Sequence, residues 1–232
     1  MEQLSFQTVY PTLTIFDVET TGLDYQQDKI IEFGFITMKY SKDTGKYELV
    51  EEGNLLVKVD KPLSEDIVRI TNITDLMLEE EGVDRVKLGE LLSIVIENSS
   101  LLMGYNLQFD LSFVQEELRL YKEDDNFVIT TPVLDLLTIT RDRKEYPHKL
   151  FQCLEYWGVD GENSHRALDD TKATYALFKA LMLEEFNPQV YVNRFGVYKS
   201  LNGFKFPHIK YVKQSLNGTN DIEKSFVKDK PE

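Results

Sequence analysis

The chain has 232 residues, 42% hydrophobic and 28% charged, which suits one α/β domain with a full core and an appendage. No apolar run reaches the roughly 18 to 20 residues of a membrane span. The N-terminus lacks the basic-then-apolar order of a secretion signal, and the single Cys153 rules out an intrachain disulfide, so a reducing cytoplasmic setting is expected. The formal net charge of −14 argues against passive nucleic-acid binding through Lys and Arg, but not against a protein whose positive charge arrives as metal.

Residues 12–16, Thr-Leu-Thr-Ile-Phe, are apolar and β-branched and predict a buried strand, interrupted at Thr20-Thr21-Gly22. Residues 30–40 predict a second strand and 55–59 a third, with Gly45 and Gly53 near the breaks of an antiparallel meander. Residues 64–80 read as short helical pieces. Residues 86–96 carry apolar side chains at helical spacing. A short buried strand is expected at 101–105 and an amphipathic helix at 109–121, with Phe113, Val114, Leu118 and Tyr121 on one side. Helical patterns follow at 133–140 and 148–157, the latter stopped by Gly158, and the last strong helix spans 167–185. Strands first, then helix, strand and helices, predict an α/β domain with a mixed sheet.

Charge divides the chain unevenly. From Phe186 onward there are eight Lys and Arg against four Asp and Glu, whereas the rest is strongly acidic. That shift predicts a catalytic body at 1–185 and a basic, aromatic-containing extension at 186–232. Tyr191, Phe195, Tyr198, Phe204 and Phe206 argue first that the extension buries rings against the body, with steering of single-stranded nucleic acid or docking on a polymerase as the alternatives, and disorder is expected beyond about Lys213.

Three short stretches carry chemistry. Asp17 and Glu19 lie two apart at a strand end, so they share a face and repel unless a cation lies between them. A solvated strand end would look the same. Asp110 opens a helix after Asn106, where the helix dipole alone would favour an acid. His165 precedes Asp169 by four residues and Asp170 by five, and spacing leaves the choice between those acids open. Together the three stretches place acids where loops converge on one sheet edge. They offer hard oxygen ligands for Mg²⁺ or Mn²⁺.

In this order the stretches read D-x-E-T-T-G (17–22), N-x-x-F-D (106–110) and H-x-A-x-x-D (165–170). The chain thereby resembles the DnaQ-like, RNase H-fold 3′→5′ exonucleases of the DEDD group in its histidine branch. It looks most like the proofreading subunit of bacterial DNA polymerase III and the exonuclease domain of PolC-type polymerases. The tyrosine branch would place Tyr four residues before the last Asp, where this chain has Arg166. Ile70 to Asp75, Val133-Leu134-Asp135 and His148 to Leu154 also resemble family phrases, with departures at Asn72 and Leu136, so the likeness runs over about residues 10 to 185.

The resemblance implies a mixed five-stranded sheet flanked by helices and two bound divalent cations, Mg²⁺ or Mn²⁺. It selects Asp170 over Asp169. It assigns Asp17, Glu19 and Asp170 to one ion, Asp17 and Asp110 to the other, and the proton of the attacking water to His165, an imidazole suited to work near neutral pH. Thr20, Gly22, Leu23 and Asn106 would approach the terminal nucleotide, although Leu23 alone would equally suit core packing. The implied substrate is the 3′ end of single-stranded DNA, with RNA as the alternative. A DNA polymerase is the implied partner, and a non-catalytic docking module is the rival from another class.

Overall fold

The computed structural model describes residues 4–160, 165–184, 187–199, 203–217 and 222. Five strands form the main sheet: β1 (Thr12–Thr20), β2 (Ile30–Ser41), β3 (Lys46–Leu56), β4 (Leu101–Gly104) and β5 (Val133–Asp135). Their spatial order is β3-β2-β1-β4-β5. β1 pairs antiparallel with β2 and parallel with β4, so the sheet is mixed and β1 lies at its centre. Around it lie α1 (Phe6–Val9), α2 (Glu65–Thr71), α3 (Asp75–Glu81), α4 (Arg85–Glu97), α5 (Leu107–Lys122), α6 (Leu136–Arg143), α7 (Leu150–Tyr156) and α8 (Ala167–Leu181).

The period of two along β1 divides the core. Phe16 and Val18 join the cluster under α4 and α5, whereas Leu13 and Ile15 join the cluster under α7 and α8. Asp17 and Glu19 continue the second row. The carboxylates therefore appear on the α8 side where the apolar row ends. Gly34, the cross-strand neighbour of Asp17, lets α8 start directly on the sheet: a Cβ there would lie 2.3 Å from the Leu168 nitrogen. The Thr171 hydroxyl donates to the Gly34 carbonyl at 3.2 Å and fastens the contact.

Three expectations need correction. The third strand is not 55–59 but Lys46–Leu56, with Gly53 inside it. Glu48, Glu51 and Glu52 make this edge strand too polar to show an apolar run, as sheet edges commonly are. Residues 133–140 are not one helix. A three-residue buried strand runs into α6, and Asp135 caps that helix by accepting from the Leu137 and Thr138 amides. So short a buried strand has no periodicity of its own to reveal it. The strand expected at 12–16 runs on to Thr20, so Thr20 belongs to it rather than to the break, and Asp17 and Glu19 stand near its end as expected.

The C-terminal part continues the body's edge. A 3₁₀ helix (Pro188–Tyr191) leads to β6 (Arg194–Val197), which pairs in parallel with β7 (Lys210–Lys213). Asn193 bonds Val133 through both its side-chain oxygen and its amide, each at 2.9 Å, and so ties this pair to β5. Tyr191, Phe195 and Phe206 are fully buried against the body. Disorder beyond Lys213 does not hold for Gln214 and Ile222, which are buried. Residues 218–221 and 223–232, like Glu185 at the expected end of the last helix, lie outside the described residues.

Candidate active site

Two rules of local structure deliver the predicted acids, a strand end and the first turn of a helix. Asp17 and Glu19 project from the end of β1. Asp110 sits in the first turn of α5, whose start is set by Asn106 in a left-handed conformation (φ 61°). Its carboxylate accepts the Val18 amide at 3.1 Å, which binds α5 to β1. Asp170 lies in the first turn of α8 and is buried, whereas Asp169 beside it is exposed. Of the two acids left open by spacing, it is Asp170 that reaches the site. His165 precedes α8 with a positive φ of 52° and is exposed.

All five side chains line one cavity of about 530 Å³, together with Asn106, Phe109 and Arg141. Glu19, His165 and Asp170 each bring a ligand atom to within 4.8 Å of the others. The turn after β1 is tightened by the Thr20 hydroxyl, which donates to the Gly22 carbonyl at 2.6 Å. Leu23 beyond it is 86% exposed, so it does not serve the core.

The electrostatics are those of crowded like charges. Burial pushes the Asp17 carboxyl well above the usual range, and Asp110, Glu19 and Asp170 push it further. Burial followed by Asp170 and Glu32 raises Glu19 to about 8, although Arg166 pulls the other way. Asp110 rises to about 8, mainly by burial and against the lowering pull of the Val18 amide. Four carboxyls that cannot all ionise cheaply are a donor set suited to hard divalent cations, whose charge would reverse the shifts.

Sequence reasoning missed Glu32. It lies opposite Glu19 in the β1–β2 register and is fully buried. Arg166 grips it with Nη2 at 2.6 Å and Nε at 3.0 Å, the Ala167 amide donates at 2.9 Å and Asn54 at 2.9 Å. This clamp anchors the residue directly after His165. The signal was present, as a lone charge inside the apolar run Ile30-Ile31-Glu32-Phe33.

A family model described as an exonuclease (RNase_T) matches residues 14–178, the span that carries all five side chains. The chain belongs to the exonuclease family. Within that family it is DnaQ-like and has the RNase H-like fold. It is 33% identical over 177 residues to the PolC-type DNA polymerase III of Lacticaseibacillus paracasei, covering 73% of this chain and 11% of that protein. The Staphylococcus aureus PolC-type polymerase is 29% identical over 223 residues, covering 92% of this chain and 15% of its own length. This exonuclease therefore spans only about an eighth of the length of such relatives. Among solved structures, E. coli Exonuclease I in complex with a dA16 oligonucleotide superposes with a TM-score of 0.64 at 19% identity, over 75% of this chain and 41% of that one. The zinc-bound Exonuclease I–ssDNA complex matches equally, with a TM-score of 0.64 at 20% identity, over 75% of this chain and 41% of that one. No helix among the described residues is long and apolar enough to cross a membrane.

Proposed function

We propose that this exonuclease removes nucleotides one at a time from the 3′ end of single-stranded DNA, with proofreading beside a DNA polymerase as its setting in the cytoplasm. The observation that carries the reading is the convergence of Asp17, Glu19, Asp110, Asp170 and His165 on one cavity. The acids suit two divalent cations, Mg²⁺ or Mn²⁺, with Asp17, Glu19 and Asp170 around one and Asp17 and Asp110 around the other. When bound, such ions supply Lewis-acid stabilisation to the attacking and departing oxygens of a phosphodiester.

The chain's own groups do the rest. His165 accepts a proton from the attacking water at a ring nitrogen, and its exposure lets that proton pass to solvent. The new P–O bond forms as the bond to the 3′ oxygen breaks, which yields a nucleoside 5′-monophosphate and a strand with a fresh 3′ hydroxyl. Thr20 and Gly22 hold the turn that meets the terminal nucleotide, Leu23 presents an apolar edge to its base, and Asn106 faces it from the start of α5. Arg166 acts through Glu32 to keep His165 in place. It is a positioning residue.

Digestion of 5′-labelled single-stranded DNA and of matching RNA, with Mg²⁺, Mn²⁺ or EDTA, tests this. A metal-dependent ladder shortening from the 3′ end of DNA is expected. Strong preference for RNA would replace the substrate. Failure to cut either strand would remove the activity and leave a docking role.

A further inference from the structure

A second cavity of about 410 Å³ adjoins the catalytic one and shares Asn106, Phe109 and Arg141 with it. In a chain of net charge −14, no Asp or Glu lines it among the described residues. Its walls instead offer Tyr25, Phe109 and Tyr198 as aromatic surfaces and Arg141 and Lys199 as cations. Tyr198 is 39% exposed, and the Lys199 ammonium stands 5.7 Å from its ring centroid.

The wall from the C-terminal segment is built in. Arg141 donates to the Gly196 carbonyl at 3.2 Å and the Gly196 amide donates to the Thr138 hydroxyl at 2.7 Å. A Cβ at Gly196 would strike the Gln214 side chain, whose amide is held by the Thr138 carbonyl at 2.8 Å. Farther along, the Phe204 amide donates to Ser112 at 2.9 Å and its carbonyl accepts from Gln108 at 3.0 Å, so the segment is fastened to α5 as well as α6.

We infer that Tyr198 and Lys199 of this segment, with Arg141, form a binding site for the nucleotides of the single strand next to the scissile bond. Aromatic faces interleaved with cations are the chemistry that stacks bases and neutralises phosphates without reading sequence. The absence of carboxylates removes the repulsion that a phosphate meets elsewhere on this acidic surface. The inference rests on the exonuclease reading, and it gives the basic C-terminal segment a function that the acidic body does not supply.

The test is steady-state cleavage of 5′-labelled oligo(dT) by the full chain over a series of KCl concentrations. Tyr198→Ala is expected to raise KM about five- to a hundredfold, as loss of one stacked base does. Tyr198→Phe keeps the ring and stays within about twofold of the parent KM. Lys199→Gln is expected to flatten the slope of log KM against log salt by about 0.7, the value for one phosphate contact on a single strand. Both residues are on the surface, and a melting curve for each variant checks that folding is unchanged. KM and slope equal to the parent's in both Tyr198→Ala and Lys199→Gln would overturn the inference and reassign the groove to another occupant, while the parent's own 3′ ladder would keep the exonuclease reading intact. Absence of that ladder would instead sink the reading itself.

Discussion

Two glutamates face each other across one strand pair and meet opposite fates. Glu32 on β2 is fully buried, yet its oxygens are met by Arg166, Asn54 and the Ala167 amide. Glu19, its partner in register on β1, is driven up to about 8 by burial and then by Asp170, Glu32 itself and Asp110. Identical side chains one strand apart thus become a satisfied structural anchor and a member of a like-charged cluster suited to hold a cation. The difference comes from the two residues directly before α8: Arg166 turns toward one carboxylate and His165 toward the other. A charge that the chain itself neutralises belongs to the architecture. The cluster that it leaves like-charged is where we propose the chemistry lies.

The largest effects should fall on the unsatisfied side. Asp17→Asn and Asp170→Asn are expected to reduce hydrolysis below detection while circular dichroism and melting show an intact fold. A folded Asp17→Asn enzyme with parental activity would remove the metal assignment. Replacing His165 by Ala should slow kcat by about 10² to 10⁴, as for a lost general base. A loss below about threefold, with chemistry rate-limiting, would hand the proton to another group.

On the satisfied side the expected effect is stability. Glu32→Ala leaves the Arg166 guanidinium without its buried partner and should cost about 3 kcal/mol in urea unfolding, the low end for a broken buried pair because Arg166 reaches water. A cost under about 0.5 kcal/mol, as for an ordinary surface change, would show that the clamp is incidental.

The smallest effect is the most diagnostic of the contrast. Glu19 and Asp110 have folded-state values near 8, far above their unfolded ones. Between about pH 4 and pH 8 the folded protein therefore binds more protons than the unfolded chain, and metal-free stability should fall as pH rises through that window. Divalent cation at a hundred times its dissociation constant should return about 2.7 kcal/mol. At one fixed cation concentration the gain should be greater at pH 8 than at pH 5, where protons compete for the same oxygens and raise the dissociation constant. Melting temperatures that are flat with pH and indifferent to Mn²⁺ would mean that the four acids do not act as one cluster.

Some of this was legible before any coordinates. The apolar run ending in Asp17 and Glu19 announced a strand with two acids on one face, because alternation is a local property of extended backbone. The amphipathic spacing after Asn106 announced α5. The edge strand β3 was not legible, because its side chains face water and carry charge rather than pattern. Nor was Glu32's partner, which lies 134 residues away. The division of the chain at residue 186, suggested by charge, we retain as a proposal for how the molecule is organised: an acidic catalytic body with a basic segment that walls the strand groove.

The amino-acid sequence by itself determined the residue types, their order and the elements that bear them, since each motif is local and each element is set by neighbours a few positions away. The motif order had already selected Asp170 where spacing alone left Asp169 open, but only the tertiary structure decided that Leu23 stands in solvent and that Tyr198 and Lys199 line one cavity with Phe109. These outcomes depend on hydrogen bonds between residues far apart in the chain. They arise when packing brings distant segments to one sheet edge, which no local pattern specifies.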